Sequence, residues 1–334
     1  MTDAPTTMPD RPRPRRAVMT ALGGVAAVVL AACGESEPDT AQDASAASSD
    51  STIQLSVGYF PLMHSATIVH ADEAGLLEAQ GLDVELIQTG GGAQAIPPLI
   101  AGEYDITYSN YTSALLATQQ GLPLRIASAN DVGADDQAVM VRADSAFKGP
   151  ADLAGARIAV NTLKNIGTVG ISAALEDAGV DPSTAQFVEL PFPDMAAALT
   201  NDDVDAIWLP EPFRSMALSV GHRILFSPFV GPLEGMPVAG WMTTEKFARE
   251  NPEAIERFQR AIAASVEELQ GNRERVVELV PTYTQVPAAV VSTAALPVWT
   301  SQMDVEQLQE MADLMERYAI IDEPFDVSSM FLDS

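Results

Sequence analysis

One unit occurs twice in this chain, in the order strand, loop, helix, strand, helix, strand, and that repetition leaves few folds open. In the first setting Ile53, Leu55 and Val57 alternate as a strand does, and Gly58-Tyr59-Phe60-Pro61 breaks the run into a loop. A helix is expected from a Thr67 cap, with Ile68, Val69, Leu76 and Leu77 on one face and Gly75 and Gly81 as stops. Val84 and Leu86 mark a second strand, Pro97-Pro98 suits the first turn of a second helix ending at Gly102, and 105–108 reads as a third strand. Downstream, 157–160, a Thr168-capped helix carrying Ile171, Ala174, Leu175 and Ala178, 187–190, an Asp194-capped run and 205–208 repeat the order. Asp105 and Asp205, like Gly121 and Gly221, stand 100 positions apart by subtraction. Two such units imply two α/β lobes built as a duplication.

Between and after the units, 137–142 and 238–243 are extended runs expected to carry the chain into the second lobe and back. Helical spacing over 252–271, behind the Asn251-Pro252 cap, and over 305–318 adds two amphipathic helices that should pack on the first lobe. The expected division is 53–138 with 239–334 as lobe 1 and 139–238 as lobe 2. Two connections make a hinge, and a cleft between lobes is where a small ligand sits. At 334 residues and 47% hydrophobic composition the chain can bury two cores. Its 46 acids against 18 bases give a formal charge of −28, which repels phosphate backbones and argues against a nucleic-acid partner.

The first 33 residues read as an export signal. Arg11, Arg13, Arg15 and Arg16 precede an uncharged apolar run over 17–32, and Leu30-Ala31-Ala32-Cys33 looks like a bacterial lipobox in which the sole cysteine takes a lipid. An uncleaved membrane anchor is the competing reading of that run, and Arg15-Arg16 leaves the export route open. Residues 34–52 hold almost nothing to bury, so they are expected to be a disordered tether spanning roughly 20–25 Å. The protein is therefore expected outside the cell membrane, lipid-anchored, and monomeric.

No enzyme motif is found. Gly90-Gly91-Gly92 lacks the Lys-Ser/Thr that grips a nucleotide, and His64, His70 and His222 are not spaced as paired metal ligands. No cofactor and no metal are expected. Ligands of open α/β sheets gather at the carboxyl ends of strands. Those loops offer Tyr59, Phe60 and His64, then Tyr108, Ser109 and Asn110, in the first lobe, and Asn161, Lys164, Asn165, Thr168, Trp208 and Glu211 in the second. Lys164 with the helix start beside it favours a small organic anion. Glu211 beside Trp208 favours an amino-substituted heteroaromatic ring instead, and the loops lack the arginine that would grip an anion with two bonds.

The segments Gly58-Tyr59-Phe60-Pro61, Glu73-Ala74-Gly75-Leu76, Gly81-Leu82-Asp83-Val84-Glu85, Ala101-Gly102-Glu103-Tyr104-Asp105, Asp152-Leu153-Ala154-Gly155 and Val204-Asp205-Ala206 together resemble the solute-binding proteins of ABC importers for nitrate, taurine, aliphatic sulfonates and thiamine-type pyrimidines. The resemblance covers nearly all of 53–332. It implies a type II periplasmic-binding-protein fold, a ligand taken between closing lobes, an ABC permease and its ATPase as partners, and ligand loops at 59–64, 109–110, 161–168 and 208–211. The family also contains a eukaryotic pyrimidine synthase with a cysteine-rich motif. A chain with a single cysteine departs from that pattern, so an exported enzyme is the lesser reading.

Overall fold

The computed structural model describes residues 52–332, so the signal segment, Cys33 and nearly all of the tether lie outside the described residues. Eleven strands are described: β1 (Ile53–Tyr59), β2 (Leu82–Gln88), β3 (Ile106–Asn110), β4 (Leu124–Val132), β5 (Gln137–Val141), β6 (Arg157–Val160), β7 (Gln186–Glu189), β8 (Ala206–Pro210), β9 (Arg223–Phe226), β10 (Pro237–Thr244) and β11 (Val298–Trp299). They form two sheets, ordered β11-β4-β10-β3-β1-β2 and β7-β6-β8-β5-β9.

The duplication is visible in the strand order. In the first sheet β2, β1 and β3 run parallel, and in the second β7, β6 and β8 do the same. Each trio then accepts one antiparallel strand from the other half of the chain: β10 between β3 and β4, and β5 between β8 and β9. The repeated aspartates explain part of this symmetry. Asp105 Oδ2 accepts from the backbone N–H and the hydroxyl of Ser56, and Asp205 Oδ2 accepts from the backbone N–H and Nε of Arg157, so each carboxylate ties the third strand of its unit to the first.

The runs at 137–142 and 238–243 are thus strands inside the sheets, buried along nearly their whole length, rather than bridges between lobes. The passages between the sheets fall at 133–136 and 227–236, just outside them. An extended apolar run reads alike whether it crosses a hinge or fills the middle of a sheet, and only strand pairing separates the two.

Several helix starts also differ from expectation. Ser65 rather than Thr67 precedes the first helix, Ala66–Glu73, and Thr67 donates from inside it to Asn130 Oδ1. The second helix, Gly92–Ala101, begins before its prolines, which fall in its interior. Pro191 rather than Asp194 starts Phe192–Thr200. Asn165, not Thr168, caps Ile166–Asp177, its side chain accepting from the N–H of Thr168. The late helices match the spacing: Pro252–Leu269 buries Ile255, Phe258, Ile262, Val266 and Leu269, and Val305–Arg317 buries Leu308, Met311, Ala312 and Met315.

Candidate functional site

The loops at the carboxyl ends of β1, β3, β6 and β8 meet in a cleft between the lobes. On the first lobe Pro61 ends β1, and the Ser65 hydroxyl holds the following turn by donating to the carbonyls of Phe60 and Leu62. That turn sets Phe60, Leu62 and His64 along the cleft, with Tyr108 and Asn110 beside them at the end of β3. Asn110 is also the cap of Tyr111–Gln119, its side-chain Oδ1 accepting from the Ser113 N–H and the Thr112 hydroxyl. Gly92 completes this wall: a Cβ there would lie 2.9 Å from Ser109 Oγ, so only glycine lets the helix start press onto the end of β3.

The second lobe contributes Asn161, Ile166, Phe192, Trp208, Pro210 and Gln137. Trp208 lies against the start of Ile166–Asp177, where a Cβ at Gly167 would come within 2.5 Å of the indole ring. Phe192 packs on both Trp208 and Phe213 at centroid distances of 5.6 Å. Across the cleft Phe60 stacks on Phe192 at 5.9 Å with an interplanar angle of 19°, so one wall of the site is aromatic from both lobes.

Polar atoms of this cleft are short of partners. The indole N–H of Trp208, both amide atoms of Gln137 and Nδ1 of His64 are buried without a hydrogen bond among the described residues. A buried polar group left so costs about 1–3 kcal/mol, and a bound ligand is one way to meet that cost.

Beneath the cleft His64 sits in a buried ionic cluster. Its Nε2 lies 2.5 Å from Asp136 and 4.0 Å from Asp131, and all three side chains are almost wholly buried. Burial works against a charge on His64, but Asp136, Asp131 and Glu211 outweigh it and push the imidazole up to about 9. Asp131 is pushed up to about 6 by burial, while His64 and hydrogen bonds from Asn130 and Tyr108 hold it down. The imidazole thus lies between two acidic side chains, with Asp136 the nearer.

The expected site residues divide into two groups. Phe60, His64, Tyr108, Asn110, Asn161 and Trp208 line the cleft. The other six are committed elsewhere. The Tyr59 hydroxyl accepts from Gln88 Nε2, and its ring meets Tyr283 edge-on. Ser109 is buried under Gly92 and donates to the Asn110 carbonyl. Asn165 and Thr168 close the helix cap, Asn165 also donating to Asn161 and the Thr168 hydroxyl to the Asn165 carbonyl. Lys164 sits in a left-handed turn at φ 61° that sends its ammonium to the carbonyl of Ile320, away from the cleft. Glu211 is buried and accepts from the N–H and hydroxyl of Ser215 and the N–H of Ala295; burial raises its pKa, which those bonds oppose. Neither residue that carried the expected ligand chemistry, Lys164 for an anion or Glu211 for a ring, lines the site.

Residues missed from the sequence are Gln137, Phe192 and Gly92, whereas Leu62 and Ile166 fall within the implied loops 59–64 and 161–168 without having been singled out. Phe192 stood in a strand-end loop between prolines and could have been found by the rule that found Trp208. Gln137 opens a strand whose place in the second sheet is set by β8 and β9, far along the chain, and carries no local signal.

The family model described as NMT1/THI5 like matches residues 63–275. Over 209 residues, 63% of this chain, there is 23% identity to the taurine-binding periplasmic protein of Escherichia coli strain K12, and the match spans 64% of that relative, just under two thirds of its length. Among solved structures, the alkanesulfonate-binding protein SsuA from Xanthomonas axonopodis pv. citri bound to MOPS superposes with a TM-score of 0.73 at 19% identity, over 85% of this chain and 99% of that one. The periplasmic nitrate-binding protein NrtA from Synechocystis PCC 6803 gives 0.71 at 14% identity, over 84% of each chain. At these identities the structural likeness concerns the fold, that of type II periplasmic binding proteins.

Proposed function

The chain belongs to the NMT1/THI5-like family, and from that premise we propose that it is the extracytoplasmic solute-binding receptor of an ABC importer, taking a small organic anion between its lobes and delivering it to the permease. The observation that carries the ligand class is the set of unpartnered buried donors at the cleft: the Trp208 indole N–H, the Gln137 amide and the imidazolium Nδ1–H of His64. Donors waiting in a low-dielectric site suit sulfonate or nitrate oxygens, and the aromatic wall of Phe60, Phe192 and Trp208 suits an apolar body behind the charged head. The taurine, alkanesulfonate and nitrate named for the three relatives are compatible with this chemistry. Cys33 is proposed as the lipid-bearing anchor; Cys33→Ser should abolish lipid labelling and release the protein from membranes.

A second reading rests on one observation. The side-chain Oε1 of Gln137 is also unpartnered, and with the stacked phenylalanines it suits an amino-substituted pyrimidine-like ring. Thermal-shift screening separates the two, since a ligand at about 100 times its dissociation constant adds about 2.7 kcal/mol. Stabilisation by taurine, an alkanesulfonate or nitrate supports the anion reading, and Trp208→Phe, which keeps a ring but removes the N–H, should weaken that stabilisation by about 1 kcal/mol or more. Stabilisation by aminopyrimidines alone would replace the anion reading with the ring. Loss of uptake on deletion tests the receptor role, and turnover of a solute by the purified protein would overturn it.

A further inference from the structure

We propose that His64 is the specificity-determining residue of the cleft, its imidazolium, fixed by Asp131 and Asp136, donating Nδ1–H to an oxygen of the bound solute and selecting singly charged anions over doubly charged ones. This rests on the anion-receptor reading above and assigns its charge recognition to one side chain.

Four observations carry it. Of the residues that line the cleft, His64 is the one able to bear a positive charge. Neither nearby cation lines the cleft: Lys164 donates to the Ile320 carbonyl, and Arg214 donates to the Asp135 carbonyl. His64 Nε2 is taken by Asp136 at 2.5 Å, which leaves Nδ1, buried and without a partner, as the nitrogen free for a ligand. Finally, Asp131 is itself held in place. Asp131 accepts from the Tyr108 hydroxyl at 2.9 Å and from Asn130 Nδ2 at 2.8 Å, and Asn130 in turn accepts from Thr67 and the Trp241 indole.

Selection follows from the charge balance. In this cluster the acidic side chains outnumber the base, so it presents a single charged donor, Nδ1–H, and no second cation. A monoanion gains one charge-assisted bond there, whereas the second charge of a dianion would meet Asp131 and Asp136 with nothing to offset it. Glu211, near enough to support the charge on His64, adds to that repulsion.

The test uses the mature chain labelled with ¹⁵N-histidine, titrated with methanesulfonate, taurine, MOPS and sulfate. The expected result is a His64 ring protonated on both nitrogens at pH 7.5, a shift of its Nδ1–H signal on binding a sulfonate, and sulfate bound at least about tenfold more weakly. His64→Gln should lose at least about tenfold in sulfonate affinity, the size of one charge-assisted hydrogen bond. Sulfonate binding with the Nδ1 signal unmoved, or at wild-type affinity in folded His64→Gln, would overturn this proposal while leaving the anion receptor intact. Sulfate bound as tightly as the sulfonates would overturn the selection. Wild-type protein that binds none of the sulfonates would overturn the anion reading itself, and this assignment with it.

Discussion

Gly167 shows how closely single residues shape this cleft. A methyl group there would sit 2.5 Å from the Trp208 indole, a large buried ring that lines the cleft. Gly167→Ala should therefore destabilise the protein by about 1–3 kcal/mol and lower ligand affinity, measured by thermal unfolding and titration. His64 makes a second residue-scale prediction. Its pKa, pushed up to about 9 from an ordinary 6.5, contributes stability that is complete below pH 6.5 and lost as pH rises through 9. Asp131 acts with the same sign at lower pH, since its ionisation near 6 is opposed by burial in the folded state. Unfolding midpoints should fall between pH 6.5 and pH 9, and His64→Gln should flatten that slope; an unchanged slope would mean that other groups set it. At this scale the sequence was legible for rings at strand ends, such as Phe60 and Trp208, because position along a strand predicts their place. It was not legible for Lys164, whose left-handed backbone sends the charge to a carbonyl 156 residues away.

Among elements, the repeated order of strands and helices was readable because apolar alternation and helical spacing are local. The exchange of β5 and β10 between sheets was not, since pairing with β8 and β9, or with β3 and β4, is decided over long separations. Helix starts slipped by a few residues where two polar residues could each have served, as at Asn165 and Thr168. The structure also shows contacts between lobes that sequence spacing cannot reveal. Lys164 donates to the Ile320 carbonyl, and the Tyr318 hydroxyl donates to Glu176 at 2.7 Å with Arg317 at 3.3 Å from the same carboxylate. These contacts join the helix Ile166–Asp177 and the turn before it to the end of Val305–Arg317, away from the ligand cleft. Two hydrogen bonds of about 0.5–1.5 kcal/mol each should bias the lobes toward this arrangement. Combining Lys164→Ala with Tyr318→Phe is expected to speed ligand release roughly tenfold while leaving ligand selectivity unchanged, as stopped-flow release would show. A release rate equal to wild type would mean that these bonds do not hold the lobes together.

For the whole molecule, a repeated α/β unit, an interlobe cleft with unpartnered donors and membership of the NMT1/THI5-like family support the proposal of a receptor that takes a small anion. The strong negative charge of the chain makes this demanding, because an excess of 28 acidic charges repels anions at long range. Binding must then come from short-range donors inside the cleft, and the attraction should be nearly insensitive to salt once the solute is enclosed. Calorimetric titration of the mature protein with taurine, methanesulfonate, MOPS and nitrate, with an aminopyrimidine in parallel, is the most direct test. The expected result is one site per chain for at least one of the anions, with affinity little changed between low and physiological salt. Saturable binding of the aminopyrimidine with no heat from any anion would contradict it.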